Sequence, residues 1–373
     1  MSIYVIIYIL FFVFALLERV DDQQEISGVL SKKTMYIFSV AILLFFGALR
    51  YEVGFDYEGY KSIYNTYSSG VTVSRFEPGF AVFMHICKNW FGLSYPYFLF
   101  FITGFSILIK ASFFYRYFKY PIFLLILYFP AIFLYADFGQ IRQGMAVGIF
   151  LWCIPAIKDR NMIKFIIIWF IAVSFHYSTL IFFPIYWLYK ITVKRNVFLI
   201  IFMAGFFFNA FSGTIVVFAL MQKILGTTGF LGSLLKYMTL YGESKNPLSY
   251  FLEINTLFAV ILILLYQKGY CHNIQNREEN GFEFSGYNIY ILMFLLIKLF
   301  DSITVIGYRG AYFYKMIEGI LLYYLMDKLK EKELKALFLF FLFLYGLIRL
   351  IFIIQKQAWQ FVPYQIYGEF FGL

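Results

Sequence analysis

Charge is scarce in this sequence. Of its 373 residues 14% are charged, against 62% hydrophobic and 24% aromatic, and the mean hydropathy is +0.76. Soluble domains carry about 25% charged residues, so an ordinary soluble domain is excluded. Cysteine is scarce as well. Cys87, Cys153 and Cys271 lie far apart and form no CxxC, which argues against a disulfide framework. The three histidines, His85, His176 and His272, have no metal-ligand spacing, so neither a metal nor a cofactor is expected. Alternation of polar and apolar residues is missing from runs such as LFLFFLFLYGL (337–347), which excludes a membrane barrel. The first segment lacks a basic start and a small-residue cleavage site, and reads as a retained helix.

What the sequence does have is apolar length. Roughly 17–25 apolar residues cross the hydrocarbon core as a helix, and about twelve such segments are expected here. They fall at 3–19, 34–50, 95–115, 120–137, 140–157, 163–176, 178–189, 196–218, 250–267, 287–305, 310–326 and 336–354. The fold class is therefore an all-α polytopic membrane protein, a single membrane domain over 1–373. Lys and Arg are in excess in alternate connections, which places the N-terminus outside. The net charge of +10 is then topological and does not mark a nucleic-acid partner. Two choices make this topology consistent. In the outer loop 51–94, residues 77–92 read as an amphipathic helix lying on the surface of the lipid bilayer. Residues 163–189 read as a short hairpin with FHYS at its outer tip; one long helix would invert everything downstream. The outer loop 219–249 is either a lid or a plain surface loop.

An ionisable group at the centre of a membrane helix costs roughly 2.5–3.5 kcal/mol, so each needs a reason. Under this topology they gather at one face: Arg50 and Asp56, Asp137 and Arg142, His176, Lys298 and Asp301, then Arg309, Lys315 and Glu318. Lys298/Asp301 and Lys315/Glu318 have i,i+3 spacing and so have the simpler account of mutual neutralisation. Lys110 and Arg349 read as snorkelling groups near helix ends. Glu52 and Glu58 read as solvated. Arg50, Arg142 and Arg309 suit phosphate oxygens, which a planar guanidinium grips bidentately. For Arg142 the alternative is a structural ion pair, with Asp137 the only carboxylate nearby in sequence. His176 is either a satisfied core residue or a base.

Together the motifs resemble a family. The set is Arg50-x3-Gly54-x-Asp56-Tyr57-x2-Tyr60, Glu77-x-Gly79-Phe80, Ile141-Arg142-Gln143, Phe175-His176-x-Ser178 and, late in the chain, Arg309 with Tyr312 and Phe313. It resembles the EpsG-type branch of the Wzy-like polysaccharide polymerases, over about 40–185 and again around 309, but not in 219–286 or the C-terminal tail. Thr179 departs from the small apolar residue expected there. The resemblance implies a glycosyltransferase-C-like membrane architecture and a bacterial inner-membrane enzyme whose active site faces the periplasm or cell exterior. It implies undecaprenyl-pyrophosphate-linked oligosaccharides as substrates, with a flippase and a chain-length regulator as further partners. On that reading Arg142, with Arg50 or Arg309, clamps the pyrophosphate. Gln143 and Lys315 join the substrate site, and Tyr57 and Tyr60 stack on sugar rings. His176 is the first candidate base and Asp56 the second, with Glu77 a further carboxylate. A glycan ligase and a lipid-linked-sugar flippase are the competing functions.

Overall fold

The computed structural model describes residues 1–20, 31–67, 76–191, 193–211, 213–226, 250, 253–270, 281–301 and 304–368. In order these residues form α1 (Ser2–Val20), α2 (Lys32–Ala48), α3 (Tyr57–Thr66), α4 (Pro78–His85), α5 (Tyr95–Tyr117), α6 (Pro121–Tyr128), α7 (Ile141–Leu151), α8 (Cys153–Lys158) and α9 (Met162–Phe175). There follow α10 (Ile185–Leu188), α11 (Arg195–Ala210), α12 (Gly213–Leu225), α13 (Ile254–Tyr270), α14 (Gly281–Leu299), α15 (Thr304–Lys328), α16 (Lys332–Lys356) and α17 (Ala358–Phe361). Among the described residues the β pairing is an isolated antiparallel bridge between Arg50 and Ile366. Four helical stretches, Ser2–Arg19, Tyr95–Tyr117, Ile141–Lys158 and Lys332–Lys356, are long and apolar enough to cross a membrane. The protein is thus an all-α membrane protein. Other apolar helices, Pro121–Asp137 and Met162–Phe175 among them, are shorter.

The described chain divides into two compact units. One comprises Met1–Cys153, Ile163–Thr179 and Gly319–Leu373; the other comprises Ile154–Met162 and Leu180–Glu318.

In the first unit α5 packs between α2 and α7, while α1 packs against α6, α2 and α16. Aromatic rings fill these seams: Tyr8 stacks on Phe343 at 5.5 Å, and Phe46 on Tyr364 at 4.5 Å. The helix begun by α6 continues from Phe129 to Asp137 as a wider π-helix. Pro130 has no N–H to give and its ring displaces the carbonyl four residues back, so the ladder there shifts by one residue. Phe138 accordingly donates to the Phe133 carbonyl at 2.8 Å, and Gln140 to that of Tyr135 at 2.8 Å.

The shifted register turns Asp137 inward, and this corrects the reading of Lys110 as a snorkelling residue. Lys110 lies within α5, wholly buried, with its ammonium 2.7 Å from Asp137 Oδ1. It also donates to Ser106 Oγ at 2.7 Å and to the Gly144 carbonyl at 2.7 Å. Tyr128 donates to the other Asp137 oxygen at 2.5 Å, and Ser106 to the first. A snorkelling lysine needs water within reach of its tip; here a carboxylate from the next hairpin reaches it first.

The region 51–94 holds more helix than expected, with α3 in addition to α4 and its π-helical extension Ile86–Trp90. Lys88 closes the C-terminal end of α3, donating to the carbonyls of Tyr64 at 2.6 Å, Asn65 at 2.8 Å and Tyr67 at 3.2 Å. A cation there meets the negative end of the helix dipole. After α9 the chain turns at His176. Trp169 Nε1 donates to the Thr179 carbonyl at 3.1 Å, although a continuous helix would hold these residues about 15 Å apart along its axis. The turn lies where the hairpin expectation put it.

In the second unit α11 packs on α14 through Phe198, Phe202 and Phe294, and Asn288 donates to the Tyr189 carbonyl at 2.8 Å. Lys298 pairs with Asp301 as its spacing suggested, and also with Glu253, at 3.4 Å each. The helix expected at 196–218 is two helices, α11 and α12. Residues 219–225 of the expected outer loop belong to α12, and 227–249 lie outside the described residues.

Candidate active site

The site is assembled from three segments of the first unit. The first is the start of α4, EPGF. Pro78 occupies the first helical turn, where its missing N–H costs nothing. Glu77 sits at the N-cap, yet its carboxylate makes no capping bond. It is used elsewhere: Oε2 accepts from Arg142 Nη1 at 2.5 Å, and Oε1 accepts the backbone N–H of Tyr177 at 3.4 Å. Gly79 allows the approach, because a Cβ there would overlap Ser174 Oγ near the end of α9 and stand 2.9 Å from the Ser174 carbonyl oxygen. Phe80 is fully buried and lies under the guanidinium.

The second segment is the elbow into α7. Arg142 Nε donates to the Tyr60 hydroxyl at 3.1 Å. The guanidinium carbon lies 5.1 Å from the Phe76 ring centre and 5.7 Å from those of Tyr60 and Phe80. Its side chain is 20% exposed and that of Glu77 6%. Among the described residues the Nη2 amine has no partner, so this guanidinium has donors left for a ligand. Gln143, one residue on, is fully buried.

The third segment is the turn after α9. His176 Nδ1 lies 2.8 Å from Ser178 Oγ and accepts the Ser178 N–H at 3.1 Å. Both contacts fix the imidazole in the turn.

Tyr60, Glu77, Arg142 and the His176 turn are thus brought together. The opening motif instead builds the neighbouring loop. Arg50 is buried, donating from Nη1 to the Gly47 carbonyl and to Thr103 Oγ1 at 3.4 Å, with its guanidinium 4.8 Å from the Phe138 ring centre. Gly54 has φ +105°, and a Cβ there would collide with the Phe138 carbonyl oxygen. Asp56 is exposed, in the left-handed region at φ 58°. Tyr57 is buried edge-on to Tyr95 at 5.3 Å. Glu52 accepts from Lys61 at 3.3 Å in an exposed pair. Its carboxyl is held below the usual range, first by the Tyr51 hydroxyl and then by Lys61. Burial pushes the Cys87 thiol up to about 11, which leaves it protonated. Arg309 and Lys315 belong to the second unit on α15, Lys315 lying 5.9 Å from the Tyr312 ring centre.

Two parts of the arrangement escaped sequence reasoning. One is Glu77 as the partner of Arg142; the pair spans 65 residues, and Asp137, nearer in sequence, serves Lys110. The other is the C-terminal tail. Gly54 and Tyr51 donate to the carbonyls of Gln360 at 2.8 Å and Gln365 at 2.9 Å, and Tyr367 donates to that of Leu49 at 3.0 Å. The tail straps the loop down, and its dense aromatics (AWQFVPYQIY) were the available signal.

No curated protein and no solved structure matches the chain significantly. One family model does, over residues 33–366, which extends past the stretch of resemblance into the tail that straps the Arg50 loop. By that match, over nearly its whole length, the chain belongs to the EpsG family.

Proposed function

We propose that this protein is a polysaccharide polymerase. It moves a growing glycan from its undecaprenyl-pyrophosphate carrier onto the next lipid-linked repeat unit, at the periplasmic face of the bacterial inner membrane. Family membership supports the polymerase role in general. The observation that carries the chemistry is the convergence of Tyr60 from α3 and Glu77 from the start of α4 on Arg142, a partly exposed guanidinium with an amine left over.

In the reaction an acceptor hydroxyl oxygen attacks the anomeric carbon of the donor sugar. The bond from that carbon to the phosphate oxygen breaks, and its electron pair leaves with the lipid pyrophosphate. Negative charge grows on the leaving oxygen, so Arg142 Nη2 stabilises the transition state more than the ground state. The hydroxyl proton needs an acceptor within hydrogen-bond reach. Glu77 fits best: Arg142 and the Tyr177 N–H hold it in place, and a carboxylate has lone pairs to spare. His176 anchors the turn that presents the Tyr177 N–H to Glu77, and Tyr60 positions the guanidinium. Asp56 and Arg50 serve the loop. Arg309 and Lys315 have no step in this reading.

The test is polymerisation of a synthetic lipid-pyrophosphate-linked repeat unit by purified protein, beside Arg142→Ala and Glu77→Gln. A ladder from wild type that both variants lose supports the reading. A single transfer to a different acceptor without a ladder would replace it with a ligase. Lipid-linked sugar crossing a proteoliposome bilayer, with no new glycosidic bond, would replace it with a flippase.

A further inference from the structure

Beside the site, and not used by it, lies an apolar groove of about 290 Å³. It is lined by Phe83, Ile86 and Cys87 from α4 and its π-helical extension, by Phe91 and Leu93 from the following loop, and by Phe101 and Phe105 from α5. No polar side chain other than the Cys87 thiol contributes, and that thiol is held protonated.

The groove shares a wall with the Arg142 site. Phe83 packs on Phe98 at 5.9 Å, Phe98 on Phe80 at 5.9 Å, and Phe80 carries the Arg142 guanidinium at 5.7 Å. One end of this aromatic wall thus bears a cation with a donor left over, and the other end a trough for hydrocarbon. Phe83 follows Phe80, the ring that carries the guanidinium, by three residues, about one helical turn away on a neighbouring face. That separation suits a diphosphate at one end and the start of its lipid chain at the other. A surface that places an anion-binding group beside a chain-sized apolar trough is complementary to an anionic amphiphile, not to a free sugar or a soluble nucleotide. The trough opens at Phe101, Phe105 and Phe91, which are 39%, 46% and 69% exposed, so a chain can enter sideways.

We infer that this groove holds the carrier end of the lipid-linked substrate: the first units of its hydrocarbon chain lie against Phe83, Ile86 and Phe105 while its diphosphate reaches Arg142. The inference rests on the lipid-linked substrate of the proposed function and adds to it the place where the enzyme distinguishes carrier from bulk lipid. It assigns Ile86, Leu93, Phe101 and Phe105 to carrier recognition and gives them no part in the chemistry.

The probe is a polyprenyl diphosphate with a diazirine on its first isoprene unit, used on the full-length protein in nanodiscs and read by mass spectrometry. Labelling is expected in residues 83–105. It should fall about tenfold in Ile86→Trp and Leu93→Trp, which fill the trough, as expected when a snug apolar fit is lost. The same diazirine on a phosphatidylglycerol acyl chain should label these residues no more than other lipid-facing helices. Equal labelling by both probes, or labelling elsewhere, overturns the inference in favour of bulk lipid. A turnover readout separates recognition from folding. Repeat units on long and short prenyl chains are compared, and the filling variants should lose about tenfold in KM for the long chain alone. Parallel losses on both chains overturn the inference. If wild type labels in 83–105 but forms no glycosidic bond, the polymerase reading fails and the carrier groove stands.

Discussion

Two ion pairs lie either side of one elbow, and their difference separates scaffold from site. Asp137 ends the π-helix and pairs with Lys110; five residues later Arg142 pairs with Glu77. The first pair is closed. Its side chains are 1% and 0% exposed, and Ser106, Tyr128 and the Gly144 carbonyl complete the coordination of both charges. The second is open: Arg142 is 20% exposed, has an Nη2 amine without a partner among the described residues, and stands on a ring of aromatics. A charge whose bonds are all made by the protein can only hold the protein together. A charge with bonds left over can hold something else.

Removing one member of the closed pair should give the largest effect. Asp137→Ala strands a lysine in a dry core, and breaking a buried pair typically costs about 3–5 kcal/mol. The expected outcome is loss of folded protein in detergent, read by thermal unfolding. Lys110→Met with Asp137→Leu should recover part of the loss, since neither charge is then left alone. If Asp137→Ala unfolds no earlier than wild type, the pair is not closed and the comparison fails.

For the open pair stability and activity should separate. Arg142→Lys keeps the charge but loses the planar fork. Polymerisation should drop roughly 100–1000-fold, the scale of one oxyanion-type donor. The unfolding temperature should barely move, because lysine keeps a cation beside the buried Glu77 carboxylate. A fall in stability with activity retained would make Arg142 scaffold as well.

Between these lies Gly79, which decides whether the open pair can form. An added Cβ would overlap the Ser174 hydroxyl and crowd its carbonyl oxygen at 2.9 Å. Overpacking of this kind costs about 1–3 kcal/mol, and here it would push Glu77 away from Tyr177. Gly79→Ala should lose activity more than stability. Adding Ser174→Ala should restore only part, because the carbonyl stays; full rescue would mean that the hydroxyl alone sets the spacing.

The sequence carried much of this, though unevenly. Helix limits along α1, α2, α5, α6 with its extension, and α9 fell within a few residues of expectation, because apolar length and Pro121 mark them locally. The motif residues were also legible, but their division of labour was not. Arg50 and Arg142 look alike in sequence. Only the fold turns Arg50 towards the Gly47 carbonyl and Phe138, and Arg142 towards Glu77 and Tyr60. Lys110 was misread for the same reason: its partner comes from 27 residues away, through a helix whose register Pro130 has shifted. The tail was hard to place because its partners lie more than 300 positions earlier, and the main-chain bonds among its contacts leave little trace in side-chain pattern.

The smallest expected effect comes from a third pair, Lys61 with Glu52, the exposed end of the same series at 29% and 44% side-chain exposure. The Glu52 carboxyl is depressed by the Tyr51 hydroxyl and by Lys61, so its contribution to stability is present above the ordinary carboxylate range, near pH 4.3, and is lost as pH falls through its lowered value. Glu52→Gln should therefore lower the unfolding temperature at pH 7 only slightly, leave polymerisation unchanged, and flatten the acid limb of the stability profile. Salt should hide even that difference, since exposed charges are screened. Glu52 is also four residues from Asp56, in the motif that led the family resemblance. If Glu52→Gln lowered polymerisation at neutral pH while unfolding stayed constant, the loop would be touching substrate. Exposure would then mark a second open site, and the division between closed and open pairs would have to be redrawn to include it.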